Sequence, residues 1–336
     1  MNAAMRVSRG SAAVVAMCAV WSASYAQVRG GSVVALDPSL NAIISTEAKL
    51  EVLFADLNGT EGPVWVKNGR YLLFVSSSAA DGRVYKVTPD GGRSTLLEGT
   101  GGATALALDP NGRLLICGFH DRTLVRVEKD GTRTILAREF EGRPLNGPND
   151  LAVKSDGSIY FTDELSVFRW KTGKLEQLMK SVVPGGRVID GVSGGRVVNG
   201  IALSPDEKFL YLVVVPARGS RKIARYELGP DGAILGKRGP DDTITDERIW
   251  FPLPEQTPSP TRQSGQPDGI KVDLNGNVYF GGPGGLWIVS PAGKHLGTVL
   301  IPGGHSNLAF GDADGKALYL TTGSGLARIR LKAAAI

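Results

Sequence analysis

Apolar and polar residues alternate with a period of two in short runs along most of the chain, the signature of half-buried strands. The stretch LNGPNDLAVKSDGSIYFTD, Leu145 to Asp163, shows the unit. Leu151 to Val153 and Ser158 to Thr162 are β-prone runs, and Lys154-Ser155-Asp156-Gly157 is the turn between them. The arrangement recurs as GPVWVKNGRYLLFVSS (62–77), ALALDPNGRLLICGF (105–119), DLAVKSDGSIYFTD (150–163), GIALSPDEKFLYLVV (200–214), GIKVDLNGNVYFGG (269–282) and LAFGDADGKALYLTT (308–322). A further hairpin signal follows each copy, such as RVYKVTPDGG after the first, but after the last only GLARIRL remains. KLEVLFADL (49–57) is a spare strand that can fill that gap. Six units of four strands predict an all-β, six-bladed β-propeller over 49–332. Its ring is closed by the N-terminal strand pairing in the last blade, which also removes an exposed edge. Residues 27–48 are left as an N-terminal arm.

In such a disc every innermost strand starts at one rim, and second and fourth strands end there. The long connections 137–148, 180–198 and 236–267 therefore run over that rim, the expected binding face. The residues immediately before the six inner strands are Glu61, Thr104, Asn149, Asn199, Asp268 and Ser306. Each carries a side-chain oxygen, and blade geometry aims all six at the central channel. Two carboxylates and two amides converging in a funnel of low dielectric are costly unless a cation neutralises them. Oxygen donors without His or Cys suit a hard divalent cation, Ca²⁺ first, with Mg²⁺, Mn²⁺ or Zn²⁺ as substitutes. The alternative is a polar set that hydrogen-bonds itself or orders water.

Composition narrows the picture further. Of 336 residues 42% are hydrophobic and 21% charged, enough for a large core, and 45 glycines with 19 prolines suit many turns. The N-terminus has the form of a secretory signal over 1–26: Arg6 and Arg9, the short apolar SAAVVAMCAVW (Ser11 to Trp21), then SASYA with cleavage expected after Ala26. Loss of the two arginines lowers the net charge from +5 to +3, too little and too evenly spread for nucleic acid. The mature chain keeps one cysteine, Cys117, in the apolar run LLIC, which predicts a buried, inert thiol. No other segment is long and apolar enough to span a membrane as a helix. These features imply a periplasmic or secreted protein, expected as a monomer.

EGPVW (61–65), LNGPNDLAVKSDGSIYFTD (145–163), NGIALSPDEKFLYL (199–212), PDGIKVDLNGNVYFGGPGGLWIVSPAGKHLGT (267–298) and NLAFGDADGKALYLTT (307–322) resemble, in order, the signature segments of the senescence marker protein, gluconolactonase and luciferin-regenerating enzyme family. The resemblance covers about 50–332 and implies a metal-dependent lactone hydrolase. It assigns the metal to Glu61, Asn149, Asn199 and Asp268, the same residues the oxygen ring singles out, and makes Asp268 of the PDG motif the general base. The chain departs from the family at the substrate mouth. Thr104 stands where an Asn is usual, Asp163 runs directly into ELSVFRW without a proline-rich lid, LVVVPARG replaces a strand ending in DS or DT, and Gly147 occupies the place of a substrate-binding arginine.

Thr104, His120, Asp163 and His305 are the remaining candidates near the mouth, as substrate contacts or proton-transfer groups. His295, in the outer hairpin of blade five, is expected at the solvated surface, and Arg143 and Arg262 in rim loops. A small-molecule lactone or ester is the expected partner. The rival readings are a non-catalytic ligand-binding propeller with a structural ion, and an isomerase or lyase acting on a lactone-like substrate.

Overall fold

The computed structural model describes residues 32–76, 82–163, 166–180, 196–216, 221–236, 248–253, 267–301 and 304–336. Among the described residues six antiparallel sheets, five of four strands and one of five, form the blades, and a two-stranded ribbon is the seventh. Their innermost strands are Thr60–Val66, Ala103–Leu108, Leu151–Val153, Arg196–Leu203, Ile270–Val272 and Leu308–Gly311. Each inner strand neighbours the next, and the last returns to the first. The architecture is the six-bladed propeller.

Local chemistry explains the meanders. In blade three the Lys154 N–H donates to the Ser158 carbonyl and the Gly157 N–H to the Lys154 carbonyl, both at 2.9 Å. Gly157 takes the left-handed conformation this turn needs, at φ 83°. The hydrophobic core is a set of layers between blades. One layer joins Leu73 and Val75 of blade one to Leu106 and Ile116 of blade two. Another joins Ile201 and Leu212 of blade four to Tyr160 and Val167 of blade three. Because both faces of every sheet are covered, strands such as Leu114–Gly118 and Ile159–Asp163 are buried at every position.

Glu51–Phe54 pairs antiparallel with Leu326–Arg330 and completes the last blade, so the ring closes as the sequence predicts. Thr60 Oγ1 fastens the same seam, donating toward the Thr322 and Gly325 carbonyls at 2.6 and 2.5 Å. The segment before it is more than an arm. Val33–Ala35 adds a fifth strand to blade five, against His295–Leu300. A short helix, Leu40–Ile43, then seats Leu40 and Ile44, both fully buried, between blades five and six. The outer strand His295–Leu300 has four consecutive buried residues, and the extra strand covers the edge it would otherwise expose.

That cover corrects the expectation for His295. Its ring stacks on Trp287 at 4.0 Å, and Nε2 lies 3.0 Å from the Gly297 carbonyl. Burial lowers its pKa from the usual histidine value. The tail beyond 332 is also anchored, with the Ala335 N–H donating to Gly315 at 2.9 Å and its carbonyl accepting from Leu274 at 3.1 Å. Cys117 is buried, as predicted, and burial pushes its thiol pKa well up. The signal segment 1–26, most of connections 180–198 and 236–267, and Arg262 lie outside the described residues. Connection 137–148 folds into a two-stranded ribbon, Glu139–Phe140 against Arg143–Pro144, and Arg143 is exposed on it. Among the described residues no helix is long and apolar enough to cross a membrane.

Candidate active site

The ring residues sit where the strand ladders break. Pairing jumps between Glu61 and Val64 in blade one, Ala103 and Ala105 in blade two, and Val198 and Ile201 in blade four. In blades three and five the ladder begins at Leu151 and Ile270, just after Asn149-Asp150 and Asp268-Gly269. A bulge takes a residue out of strict alternation and re-aims its side chain. Pro63, with no N–H for a ladder, is at home in such a gap. Glycine lets adjoining inner strands touch. A Cβ at Gly200 would lie 2.2 Å from the Asp268 carbonyl oxygen, and one at Gly62 (φ 49°) 2.4 Å from Ala105 Cα.

Hydrogen bonds stitch these strands into a narrow collar. The Gly200 N–H donates to the Asp268 carbonyl (3.1 Å) and the Gly269 N–H to Ser306 (2.7 Å). Thr104 Oγ1 donates toward the Asn149 carbonyl (2.8 Å), Thr162 Oγ1 to Asn199 (2.7 Å) and Ser306 Oγ to Thr60 (2.6 Å). Thr104 and Ser306 are therefore seam residues. The Thr104 hydroxyl serves neighbouring backbone, which corrects the expectation that all six oxygens aim into the channel, while the Ser306 hydroxyl also bonds the Glu61 carboxyl. Thr162 fills a similar role from the end of a second strand. The same register in blade six holds Thr321, whose Oγ1 lies 2.9 Å from Ser306 Oγ.

Charge concentrates inside the collar. Glu61 of blade one is pushed well above the usual carboxylate range, first by desolvation, then by Asp268 and Asp150. Asp268 of blade five is pushed up to about 7 by desolvation and Asp150, and an Asn199 hydrogen bond and Lys271 offset only part of this. Both side chains open partly onto the channel, but protein mass on every side lowers the local dielectric. Asp150 is buried and accepts the N–H groups of Leu151 (2.9 Å) and Ile201 (3.3 Å). Three carboxylates from alternate blades thus face one another across the axis. Asn199 donates its amide to Asp268, while its Oδ1 is buried with no hydrogen-bond partner. Asn149 is fixed through its backbone, its N–H donating to Thr162 (2.8 Å).

The remaining candidates separate. Asp163 is buried and its Oδ2 accepts the Asn146 N–H at 3.0 Å, which ties the rim loop 137–148 to the blade. His305 is buried, its Nε2 has no hydrogen-bond partner, and burial lowers its pKa to about 4, so the ring is neutral at pH 7. His120 is exposed and packs edge-on against Phe119. The Phe119 ring lies 2.9 Å from where a Cβ at Gly147 would stand, so it fills the space a longer residue there would need. Sequence reasoning missed Asp150 and Lys271. Asp150 reads as a turn residue in NDL. Lys271 carries a charge where the equivalent positions of the other five blades are Val64, Ala107, Ala152, Ala202 and Ala309, a signal visible once the repeats are aligned. Among the described residues no group of three or more His, Cys, Asp or Glu is arranged to hold a metal, so any cation here depends on amide oxygens as well.

Fold and site together define a six-bladed propeller with a buried, acidic, oxygen-lined channel mouth. The model of the SMP-30/gluconolactonase/LRE-like region matches residues 59–324, and the chain belongs to this family. It is 29% identical over 326 residues to a gluconolactonase of Zymomonas mobilis, covering 90% of this chain and 86% of that one. The solved structure of a gluconolactonase from Xanthomonas campestris is 27% identical, covers 89% of this chain and 95% of its own, and superposes with a TM-score of 0.72. A calcium-binding protein, regucalcin, from Agrobacterium tumefaciens shares the fold at 18% identity and a TM-score of 0.63, covering 84% of this chain and 94% of its own.

Proposed function

We propose that the protein hydrolyses a small lactone or related cyclic ester at the mouth of its central channel, with a divalent cation held by Glu61, Asn149, Asn199 and Asp268. The observation that carries this reading is the acidic character of the collar, which Lys271 offsets only in part. Glu61, Asp150 and Asp268 converge from alternate blades, and two of them resist ionisation. The buried, unpartnered Asn199 Oδ1 is a neutral oxygen donor beside them. Such a donor set fits a hard cation, Ca²⁺ first. The named gluconolactonases in the same family support a lactone as the substrate class.

A cation bound here supplies Lewis-acid polarisation of the carbonyl. The rest falls to the chain. Asp268 accepts the proton of the attacking water as the new C–O bond forms, a step that requires its carboxyl to be ionised, the form an adjacent cation favours. When the ring C–O bond breaks, the same carboxyl returns the proton to the departing alkoxide, leaving a hydroxy acid. Asn199 holds Asp268 in place through its amide. Gly147 and Phe119 give this side of the mouth an apolar wall in place of a charged one.

The test is a panel of sugar lactones, alkyl lactones and aryl esters, assayed with Ca²⁺ and with a chelator. At least one lactone should be hydrolysed, with loss of activity on chelation and recovery on adding Ca²⁺. No turnover of any substrate by the calcium-loaded protein would favour the ligand-binding propeller. A product other than the hydroxy acid would point to the isomerase or lyase.

A further inference from the structure

Lys271 belongs to the inner strand of blade five, yet its Nζ lies 3.9 Å from Asp150 Oδ2 of blade three and 3.3 Å from Asn307 Oδ1 of blade six. Blade four stands between blades three and five, so the contact with Asp150 can be made only across the channel. A third oxygen, the Ile270 carbonyl, lies 3.1 Å away, and the side chain is 28% exposed. Both outlying partners are themselves fixed. Asp150 accepts from Leu151 and Ile201, and Asn307 accepts from the Leu308 N–H at 2.9 Å. Each directly follows a collar residue, Asn149 or Ser306, and each is buried. A solvated surface lysine would have none of these features. An ammonium among three oxygens inside a channel has the surroundings of a bound ion, with the difference that it is tethered to the chain.

We propose that Lys271 is a positioning residue for the collar: its ammonium is a resident counter-charge that braces blade three against blade six and sets how much negative charge remains for a cation at the mouth. The proposal rests on the cation reading only for what the collar is used for. The geometry of the brace stands apart from it. A fixed positive charge beside a cation site weakens the attraction of a second cation, so Lys271 limits the affinity of the mouth while keeping the carboxylates ordered before loading.

This sign separates the proposal from a packing role. Lys271→Met keeps a stem of similar length and removes the charge, and Lys271→Arg keeps the charge. Thermal melts of the full mature chain in chelator and in saturating Ca²⁺, with calorimetric titration of Ca²⁺, read the effect without an activity assay. The Met variant should gain a Ca²⁺-induced rise in Tm larger than that of the parent, with a Kd about tenfold lower. The Arg variant should stay with the parent. Lys271→Gln makes the same charge change and keeps a donor for Asn307, so it carries the test should the Met variant not fold. A neutral variant whose Ca²⁺ response is equal to or smaller than the parent's, including no response in either, overturns the proposal. The cation reading fails differently: the parent shows no bound Ca²⁺ and no loss of activity in chelator, whether or not the neutral variants respond.

Discussion

Asp268 and Glu61 face the same channel and both resist ionisation, but the proposed chemistry gives them different work. Asp268→Asn keeps a carbonyl oxygen for a cation and cannot take a proton. It should lose ~10²-fold or more in kcat even at saturating metal, the usual scale for removing a general base. Glu61→Gln should mainly weaken metal binding and recover in part when metal is added. Equal losses, both rescued by excess metal, would leave Asp268 as a ligand alone and move the search for a base to Asp163, His120 or His305. Asp268 also makes stability depend on pH. Its folded pKa is raised from 3.8 to about 7, so the folded chain holds this proton more tightly than the unfolded chain. The resulting stabilisation is complete below pH 3.8 and is lost as pH rises to about 7. In chelator, therefore, Asp268→Asn should melt near the parent at pH 4 and above it at pH 7. The difference should be on the order of a few kcal/mol, at about 1.4 kcal/mol per pK unit. A parent more stable than the variant at pH 7 would contradict this burial. At this scale the sequence marks Glu61, Asn199 and Asp268 of the collar clearly, because each repeat marks its inner strand. It hides Asp150 and Lys271, whose meaning comes from contacts across the axis between units far apart in the chain. It also overstates Thr104, since only the folded collar reveals that its hydroxyl bonds to backbone.

Between blades, the approach of inner strands is governed by glycines that leave no room for a side chain. Gly200→Ala would drive a methyl group into the Asp268 carbonyl, and overpacking of this kind costs about 1–3 kcal/mol. Because the clash falls on Asp268 itself, activity should drop with stability. Gly323→Ala, with open space around its Cβ position, should leave both unchanged, as judged by urea midpoints and initial rates. The closing strand makes a larger claim. Deleting residues 49–57 with the segment before them leaves Leu326–Arg330 as a bare edge, and the product should aggregate on light scattering; deleting only residues 27–36 should leave a folded propeller of lower Tm. Alternation and turn residues made the six meanders and the closing strand readable. The fifth strand of blade five was not, because Val33–Ala35 is only three residues long and its partner His295–Leu300 is some 260 residues away. The Leu40–Ile43 helix is too short to establish a helical period.

For the molecule as a whole, export is proposed from Arg6, Arg9, the short apolar segment and the SYA site. Mass spectrometry of the protein from its native host should give a mature start at Gln27, and an intact N-terminus in the cytoplasm would refute it. The ring then has a consequence in time. The closing pair joins Glu51 to Arg328, which follows it by 277 residues in the chain. No amount of early local folding can close the circle, so the pairing waits for almost the full length of chain, the kind of distant contact that slows folding. Until then the last blade lacks its outer strand, even where neighbouring blades already share their core layers. If the chain is exported as proposed, the delay has a use: the two strands of this seam can lock together only after both have reached the same compartment, so the ring closes where the protein is to work.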